Sequence, residues 1–211
     1  MKFVLTQTAS GGRITACLAG PGGLAGNNQL KEYILTIMAK YAINGFGRIG
    51  RNVLRAMSQA ELEKVVAIHD LTPIATTAHL LKYDTAQGRY KYCDEVTAND
   101  EAGTITVKGK TIKIYAEKDA ANCPWAANNV DVVLECTGFY CSKEKSMAHI
   151  NAGAKKVVIS APAGNDLKTI VYNVNHKDLT ADDQIISAAS CTTNCLAPMA
   201  KALNDAYAIQ S

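Results

Sequence analysis

The feature that most constrains the fold is a glycine-rich turn between a short apolar segment and a helix-like segment. Within KYAINGFGRIGRNVLRAM the turn reads Gly45-Phe46-Gly47-Arg48-Ile49-Gly50, which is a G-x-G-x-x-G pattern. Gly45 permits a tight turn, Gly47 lets the backbone approach a pyrophosphate, and Gly50 lets the helix pack closely on the strand. Because a helix N-terminus offers unpaired N–H groups and a positive dipole end, the turn predicts a phosphate-binding site.

An acidic residue stands where such a turn needs one. The next apolar segment, VVAIHD, ends in Asp70, twenty residues after Gly50. In a strand–helix–strand dinucleotide unit, an acid there accepts hydrogen bonds from the adenosine ribose hydroxyls. A carboxylate also repels a 2′-phosphate, so the pattern predicts NAD rather than NADP as the cofactor. The alternative is that Asp70 only forms the turn before Leu71-Thr72-Pro73.

Short Val- and Ile-rich segments alternate with helix-like segments along the rest of the chain. Such runs favour the α/β class, with a Rossmann-type, doubly wound and mostly parallel sheet covered on both faces. The predicted elements are a hairpin over 104–115 turning at Lys108-Gly109-Lys110, a strand over 130–138, a helix over 145–153 closed by Gly153, and strands over 154–162, 169–175 and 184–190.

The carboxyl ends of these strands are the predicted location of a site. Ligands of open parallel sheets bind beyond the carboxyl ends of the strands. Along the chain, the residues that follow the predicted strands at this rim are Gly45–Gly50, Asp70, Thr137, Ser160 and Cys191.

Two cysteines four residues apart, Cys191 and Cys195, lie in SAASCTTNCLAP. The apolar spacing after them predicts a helix with Ser190 as its N-cap and Cys191 in its first turn. A disulfide between positions i and i+4 of a helix has poor geometry, and a metal site would need two further ligands. The helix N-terminus favours a thiolate, so Cys191 is the candidate nucleophile, and Cys195 is predicted to pack in the core beside Met199.

Composition excludes several classes of protein. The chain has 211 residues, 48% of them hydrophobic, which allows the core of one ordinary domain and some additional structure. The net charge of +3 comes without a clustered basic face, so no nucleic-acid partner is predicted. Apolar runs of about five residues are too short to span a membrane. Seven cysteines without a repeated spacing favour reduced thiols in the cytoplasm over a disulfide scaffold or a zinc site.

Residues 1–37 differ from the rest of the chain. They are rich in Gly, Ala, Thr and Asn, lack a regular apolar period, and contain no acid before Glu32. Low acid content is weakly typical of a transit peptide, but only one Arg and no amphipathic stripe are present. We therefore interpret this part as a disordered extension, or as upstream sequence read in frame before a natural start at Met38.

Six stretches of the chain resemble those of one known family. They are INGFGRIGR (43–51), HLLKYDTAQGRY (79–90), ECTGFY (135–140), AGAKKVVISAPAG (152–164), VYNVN (171–175) and SCTTNCLAP (190–198). The family is that of the phosphorylating, glycolytic glyceraldehyde-3-phosphate dehydrogenases, and the resemblance extends from Met38 to Ser211. SCTTNC resembles the signature around the nucleophile of that family and is highly specific.

The resemblance implies a function and a mechanism. Cys191 would attack the aldehyde of glyceraldehyde 3-phosphate to form a thiohemiacetal, and hydride would then pass to NAD. Inorganic phosphate would cleave the resulting thioester to give 1,3-bisphosphoglycerate. Ser190 and Thr192 would lie against substrate and phosphate. The cofactor-binding residues implied are Gly45, Phe46, Gly47, Arg48, Ile49, Gly50, Asp70, Lys118, Thr137, Gly138 and Ser160, and no metal is implied.

The family also implies an arrangement of domains and a setting. Residues 38–189 would form the NAD-binding domain, and residues 190–211 would be the nucleophile segment and first helix of a truncated catalytic domain. Full-length members are expected to be cytoplasmic homotetramers that require neither a membrane nor a nucleic acid. Lys118 stands where many members have an arginine near the adenine, so its assignment is the weakest.

Two departures from the family pattern qualify the implied function. His69 stands where many members have asparagine, which could alter the packing of the adenine. The general-base histidine of the family falls beyond Ser211, and we give His149 and His176 ordinary surface positions. We therefore expect an inactive fragment. The alternatives are an erythrose-4-phosphate dehydrogenase, mildly disfavoured by Asp70 where that relative has glutamate, or a non-catalytic NAD-binding module.

Overall fold

A computed structural model describes residues 39–210 and, before them, two short strands. These are β1 (Leu5–Thr6) and β2 (Thr15–Ala16), which pair antiparallel. Apart from these two strands, residues 1–38 lie outside the described residues. The interpretation of residues 1–37 as an extension, and of Met38 as the natural start, falls on this part of the chain.

The described part of the chain alternates strands and helices. The strands after β2 are β3 (Tyr41–Asn44), β4 (Val65–His69), β5 (Tyr83–Asp84), β6 (Gly88–Arg89), β7 (Val96–Asn99), β8 (Thr104–Val107), β9 (Lys110–Tyr115), β10 (Val132–Glu135), β11 (Lys156–Ile159), β12 (Lys168–Thr169) and β13 (Ile185–Ser187). The α-helices are α1 (Arg48–Ala56), α2 (Gln59–Leu62), α3 (Ile74–Lys82), α4 (Lys143–Asn151) and α5 (Cys191–Tyr207). Single 3₁₀ turns span Cys93–Glu95, Ala120–Asn122 and His176–Asp178.

Nine of these strands form the main sheet, in the order β12-β13-β11-β10-β3-β4-β9-β8-β7. The seven strands from β12 to β9 are parallel, whereas β8 and β7 add antiparallel at one edge. After β3 the chain adds β4 beside it, then adds β7 at the edge and returns inward through β8 to β9, and finally places β10 on the other side of β3. The predicted doubly wound, mostly parallel sheet is therefore confirmed, and its strand order reverses between β3 and β10.

Both faces of the central strands are buried. In β3, Tyr41 and Ile43 belong to one apolar cluster, whereas Ala42 belongs to a second cluster that contains Trp125 and Val133. A strand covered on both faces reads as a continuous apolar run, as the YAI of this strand does.

The predicted hairpin over 104–115 is confirmed as β8 and β9. Its two turn residues, Lys108 and Gly109, have φ angles of 49° and 79°. Positive φ at both central residues is the geometry of a type I′ turn, whose twist matches that of the flanking strands. The turn is one residue shorter than predicted, because Lys110 already pairs with Val107.

The strand predicted over 169–175 is wrong beyond its first residue. Only Lys168 and Thr169 pair with a neighbouring strand, and residues 172–175 form a turn. The side chain of Asn175 accepts from the backbone N–H of Val171 and donates to the carbonyl of Thr169, which replaces the hydrogen bonds of a strand. A local asparagine bond of this kind competes with strand pairing even in an apolar sequence.

Gly50 is expected to tolerate no side chain. A Cβ atom there would lie 2.1 Å from the carbonyl oxygen of Gly45 and 3.1 Å from Cγ2 of Ile43. We predict that Gly50→Ala lowers the free energy of unfolding by about 3 kcal/mol, because backbone has to move to admit the methyl group. Urea denaturation followed by circular dichroism measures this loss.

Gly47→Ala is the matched control for this prediction. Nothing lies within 4 Å of a Cβ atom at Gly47, so the change should cost no more than about 1 kcal/mol of unfolding free energy. Equal losses in the two variants would contradict the close packing of α1 on β3.

Candidate cofactor and nucleophile site

The glycine turn fits tightly against the loop that follows β10. Gly45 has φ +87°, and a Cβ atom there would lie 2.7 Å from both Cγ2 and the backbone nitrogen of Thr137. Gly47, by contrast, is the N-cap of α1 and faces open space. No side chain caps α1, and its first turn holds no acid. The N–H groups of that turn are therefore available to an anion.

Asp70 follows β4 and fixes the glycine turn from the other side. Its Oδ2 accepts from the backbone N–H of Phe46 at 2.6 Å, and its Oδ1 accepts from the N–H of Thr72 at 2.8 Å. Asp70 thus forms the turn that the alternative interpretation predicted, and it also holds the glycine loop. Each carboxylate oxygen can accept a further hydrogen bond, so these contacts leave Asp70 able to bind hydroxyl groups.

His69 acts on the loop after β9. Its ring is buried, and Nε2 lies 2.6 Å from the carbonyl oxygen and 3.0 Å from the backbone nitrogen of Glu117. The neighbouring Lys118 is exposed at the same edge of the sheet. His69 therefore holds the loop that carries Lys118. A change at His69 would alter the packing of an adenine by moving this loop.

Thr137, Gly138 and Ser160 occupy the carboxyl ends of β10 and β11. The backbone N–H of Ser160 donates to the carbonyl of Glu135 at 2.9 Å, so the two exit loops lie side by side. Gly138 has φ +81°, and nothing lies within 4 Å of a Cβ atom there. These loops stand next to the glycine turn, at the reversal of strand order.

Ser190 is the N-cap of α5, as the sequence predicts. Its Oγ accepts from the backbone N–H of Thr193 at 3.0 Å and lies 2.8 Å from Oγ1 of Thr192. Cys191 is the first residue of the helix and is exposed. The predicted nucleophile therefore stands at the end of β13 with its thiol accessible.

Asn194 and Ala189 hold this helix start in place, and the sequence patterns missed both. The side chain of Asn194 is buried and donates to the carbonyls of Ala188 and Ser190 at 2.8 and 2.9 Å. Ala189 has φ +63°, an unfavourable value for a residue with a Cβ atom. Such strained residues persist where the surroundings fix the backbone and cluster at functional sites. A polar residue at the fourth position of a helix carries no distinctive signal in a single sequence.

The prediction that Cys195 packs in the core is wrong. Cys195 is exposed, and Met199, its predicted neighbour, is 54% exposed. Among the described residues of α5 only Asn194 is buried. The apolar spacing correctly identifies a helix, but spacing does not reveal whether anything within the described chain covers that face.

The surface position predicted for His149 is also wrong. His149 is fully buried, with Nε2 2.9 Å from Oε2 of Glu135 and Nδ1 accepting from the indole N–H of Trp125 at 3.1 Å. His176 is half-buried, and its Nδ1 accepts from the backbone N–H of Asn173. The apolar pattern of α4 is weak, so the sequence did not indicate which of its residues face the sheet.

Residues 39–143 match the family model for the NAD binding domain of glyceraldehyde 3-phosphate dehydrogenase. The glyceraldehyde-3-phosphate dehydrogenase of Clostridium acetobutylicum is 58% identical over 173 residues, which cover 82% of this chain and 51% of the relative. Those of Lactobacillus delbrueckii subsp. bulgaricus and Streptococcus pyogenes are 58% and 53% identical, covering 81% and 82% of this chain and 51% of each relative. The chain belongs to the glyceraldehyde-3-phosphate dehydrogenase family.

The matched domain confirms the predicted cofactor, because it is the NAD-binding domain of the glyceraldehyde-3-phosphate dehydrogenase family. The relatives that the chain matches are themselves dehydrogenases. The chain spans about half the length of the curated relatives it matches. Over residues 39–210, none of the helices is both long and apolar enough to cross a membrane.

The position of Cys191 predicts selective alkylation. Burial raises the pKa of the Cys123 and Cys136 thiols to about 12, and burial also raises the pKa of Cys141. These groups hold little thiolate near neutral pH. Cys191 and Cys195 are both exposed, but only Cys191 lies in the first turn of α5. We predict that iodoacetamide at pH 7 modifies Cys191 roughly tenfold faster than Cys195.

Peptide mapping by mass spectrometry measures these rates. The variant Cys195→Ser is the control and should leave the rate at Cys191 unchanged. Equal rates at Cys191 and Cys195 would show that the start of the helix does not activate the thiol.

Proposed function

We propose that this chain supplies the NAD site and the nucleophile of a phosphorylating glyceraldehyde-3-phosphate dehydrogenase. One observation carries the proposal: a single edge of the sheet brings together the glycine turn, Asp70 and the exposed Cys191. In this proposal residues 38–189 form the cofactor domain. Residues 190–211 begin a catalytic domain, of which the curated relatives contain a further part.

The residues at this edge fit NAD. The open space at Gly47 and the uncapped first turn of α1 suit the pyrophosphate, with the N–H groups of Arg48 and Ile49 as donors. Asp70 suits the adenosine ribose, because both of its oxygens keep acceptor capacity. Thr137, Gly138 and Ser160 would line the nicotinamide half, and Lys118 the adenine. When bound, NAD would supply the acceptor for a hydride.

Cys191 would perform the covalent chemistry. Its thiolate sulfur would form a bond to the aldehyde carbon of the substrate, which makes a thiohemiacetal. Loss of hydride from that carbon would leave a thioester, and inorganic phosphate would then displace the sulfur to give an acyl phosphate. Ser190 and Thr192, whose hydroxyls meet beside Cys191, would contact substrate or phosphate.

The base that assists this chemistry is proposed to lie in the part of the family sequence that this chain does not match. His149 is enclosed between Trp125 and Glu135, and the Nδ1 of His176 is occupied by the N–H of Asn173. Assembly as a cytoplasmic homotetramer is likewise a proposal for the full-length protein.

The preference for NAD is tested by isothermal titration of the purified chain with NAD and NADP. We predict that NAD binds at least about tenfold more tightly, because the Asp70 carboxylate repels a 2′-phosphate. Asp70→Ser should weaken NAD binding and narrow the ratio between the two affinities. Glu101→Ser, which removes an exposed charge from the turn before β8, should change neither affinity. Equal affinities for NAD and NADP in the unaltered chain would contradict the role of Asp70.

The proposal that this chain carries the nucleophile but not the base is tested by measuring dehydrogenase activity. We predict that the 211-residue chain shows no appreciable formation of NADH from glyceraldehyde 3-phosphate, NAD and phosphate, followed by absorbance. A version extended to the full length of the relatives should be active, and Cys191→Ser should abolish that activity. Robust turnover by the chain alone would contradict the placement of the base.

The same assay distinguishes the other functions considered. Faster turnover of erythrose 4-phosphate than of glyceraldehyde 3-phosphate by the extended version would identify the other dehydrogenase. Binding of NAD without turnover of either aldehyde by the extended version would instead support a binding module.

A further inference from the structure

Glu135, the last residue of β10, is a fully buried acid, and among residues 39–210 its ion-pair contact is with His149 and not with a Lys or Arg. Its Oε1 accepts from the backbone N–H of Thr137 at 2.7 Å and from the hydroxyl of the same residue. Its Oε2 accepts from Nδ2 of Asn44 at 2.5 Å and from Nε2 of His149 at 2.9 Å. Burial alone would raise the pKa of Glu135, but the bonds from His149, Thr137 and Asn44 lower it overall. The carboxylate is therefore held by four hydrogen-bond donors.

Trp125 fixes the direction of one of these donors. An indole N–H can only donate, so the Nδ1 of His149 that receives it carries no proton. We therefore assign the ring proton to Nε2, where it points at Glu135. A chain of hydrogen bonds thus runs from Trp125 through His149 to the carboxylate.

The carboxylate joins the two loops beside the reversal of strand order. Asn44 ends β3 and immediately precedes the glycine turn, whereas Thr137 lies in the loop after β10. The backbone also connects them, because the N–H of Cys136 donates to the carbonyl of Asn44 at 2.7 Å. In open α/β sheets the crevice at this reversal is where ligands bind. The anion therefore sits directly beneath the two walls of the candidate cofactor crevice.

We propose that Glu135 is a positioning residue for NAD, which holds the glycine turn and the Thr137 loop at the separation that the cofactor requires. Its effect extends one step further, since the Thr137 hydroxyl that donates to Glu135 also accepts from the N–H of Phe139 at 3.0 Å. The proposal rests on the proposed binding of NAD at this edge. The Trp125–His149 pair keeps the carboxylate in place through the hydrogen bond from His149.

Glu135→Gln is the decisive variant. All four groups around the carboxylate donate, two to each oxygen, so an amide NH₂ in either orientation faces a donor that cannot accept from it: the backbone N–H of Thr137 at one oxygen or the Nε2–H of His149 at the other. The side chain keeps its shape, so the change removes the bonds without leaving a cavity. We predict that the dissociation constant for NAD rises about tenfold or more, measured by isothermal titration.

Val133→Ala is the matched control for stability. Val133 lies on the same strand, is fully buried in the second apolar cluster, and does not contact the carboxylate by a hydrogen bond. The change should lower the melting temperature but leave the dissociation constant for NAD within about twofold of the unaltered chain, because it only removes apolar packing. If Glu135 had only a structural role, Glu135→Gln and Val133→Ala would behave alike. In both variants the affinity for NAD would then fall only as far as the stability of the fold falls.

A measurement without cofactor separates this proposal from the proposed function. In ¹⁵N-labelled chain, Glu135→Gln should shift the amide resonances of Thr137 and Phe139 and the single indole N–H resonance of Trp125, while Val133→Ala should leave the first two in place. If Glu135→Gln does not fold, His149→Phe removes one donor from a site remote from the cofactor. It should shift the Thr137 amide and raise the dissociation constant about threefold.

The outcomes are distinct. Failure of the unaltered chain to bind NAD would overturn the proposed function and, with it, this role of Glu135. Binding of NAD by the unaltered chain and equal binding by Glu135→Gln or His149→Phe would overturn only the positioning role. The positioning role would also be overturned if the amide resonances of Thr137 and Phe139 did not shift in Glu135→Gln or in His149→Phe.

Discussion

The contact between Gly45 and Thr137 is the constraint on which the candidate site depends. A single carbon added at Gly45 would meet both the side chain and the backbone nitrogen of Thr137 at 2.7 Å. This approach brings the loop after β3 against the loop after β10, although 91 residues separate Asn44 from Glu135, which end the two strands. The glycine permits the approach, and the buried carboxylate of Glu135 fixes it through bonds to Asn44 and Thr137. The crevice at the reversal of strand order follows from these two features.

Sequence patterns predicted the features that depend on neighbouring residues along the chain. The glycine turn, the acid after β4, the Lys108-Gly109 turn and the Ser190 cap each combine residue types whose local chemistry is nearly sufficient. The parallel sheet also followed, because strands buried on both faces are continuously apolar. These signals place the glycine turn, Asp70 and Cys191 at one edge without knowledge of any contact.

The features that the sequence could not predict depend on distant partners. β7 was missed because only Val96 of its four residues is buried, which leaves no alternation to detect. The turn after Thr169 depends on one asparagine side chain in an apolar stretch. The burial of His149 depends on Trp125 and Glu135, which approach it only in the folded chain. Cys195 was predicted to lie in the core because helical spacing identifies an apolar face of a helix. The spacing does not show whether another element packs against that face.

The two parts of the candidate site are therefore stabilised in different ways. Around Cys191 the supporting bonds are local, since Ser190 and Asn194 act within six residues along the chain. Around the cofactor crevice they span β3, β10 and α4, and they include an anion that water does not reach. A buried anion that loses a donor is left with an uncompensated charge, so small changes at Asn44, His149 or Thr137 should affect both walls together. The nucleophile segment, by contrast, can keep its geometry when that network is disturbed, because none of its supporting bonds passes through Glu135.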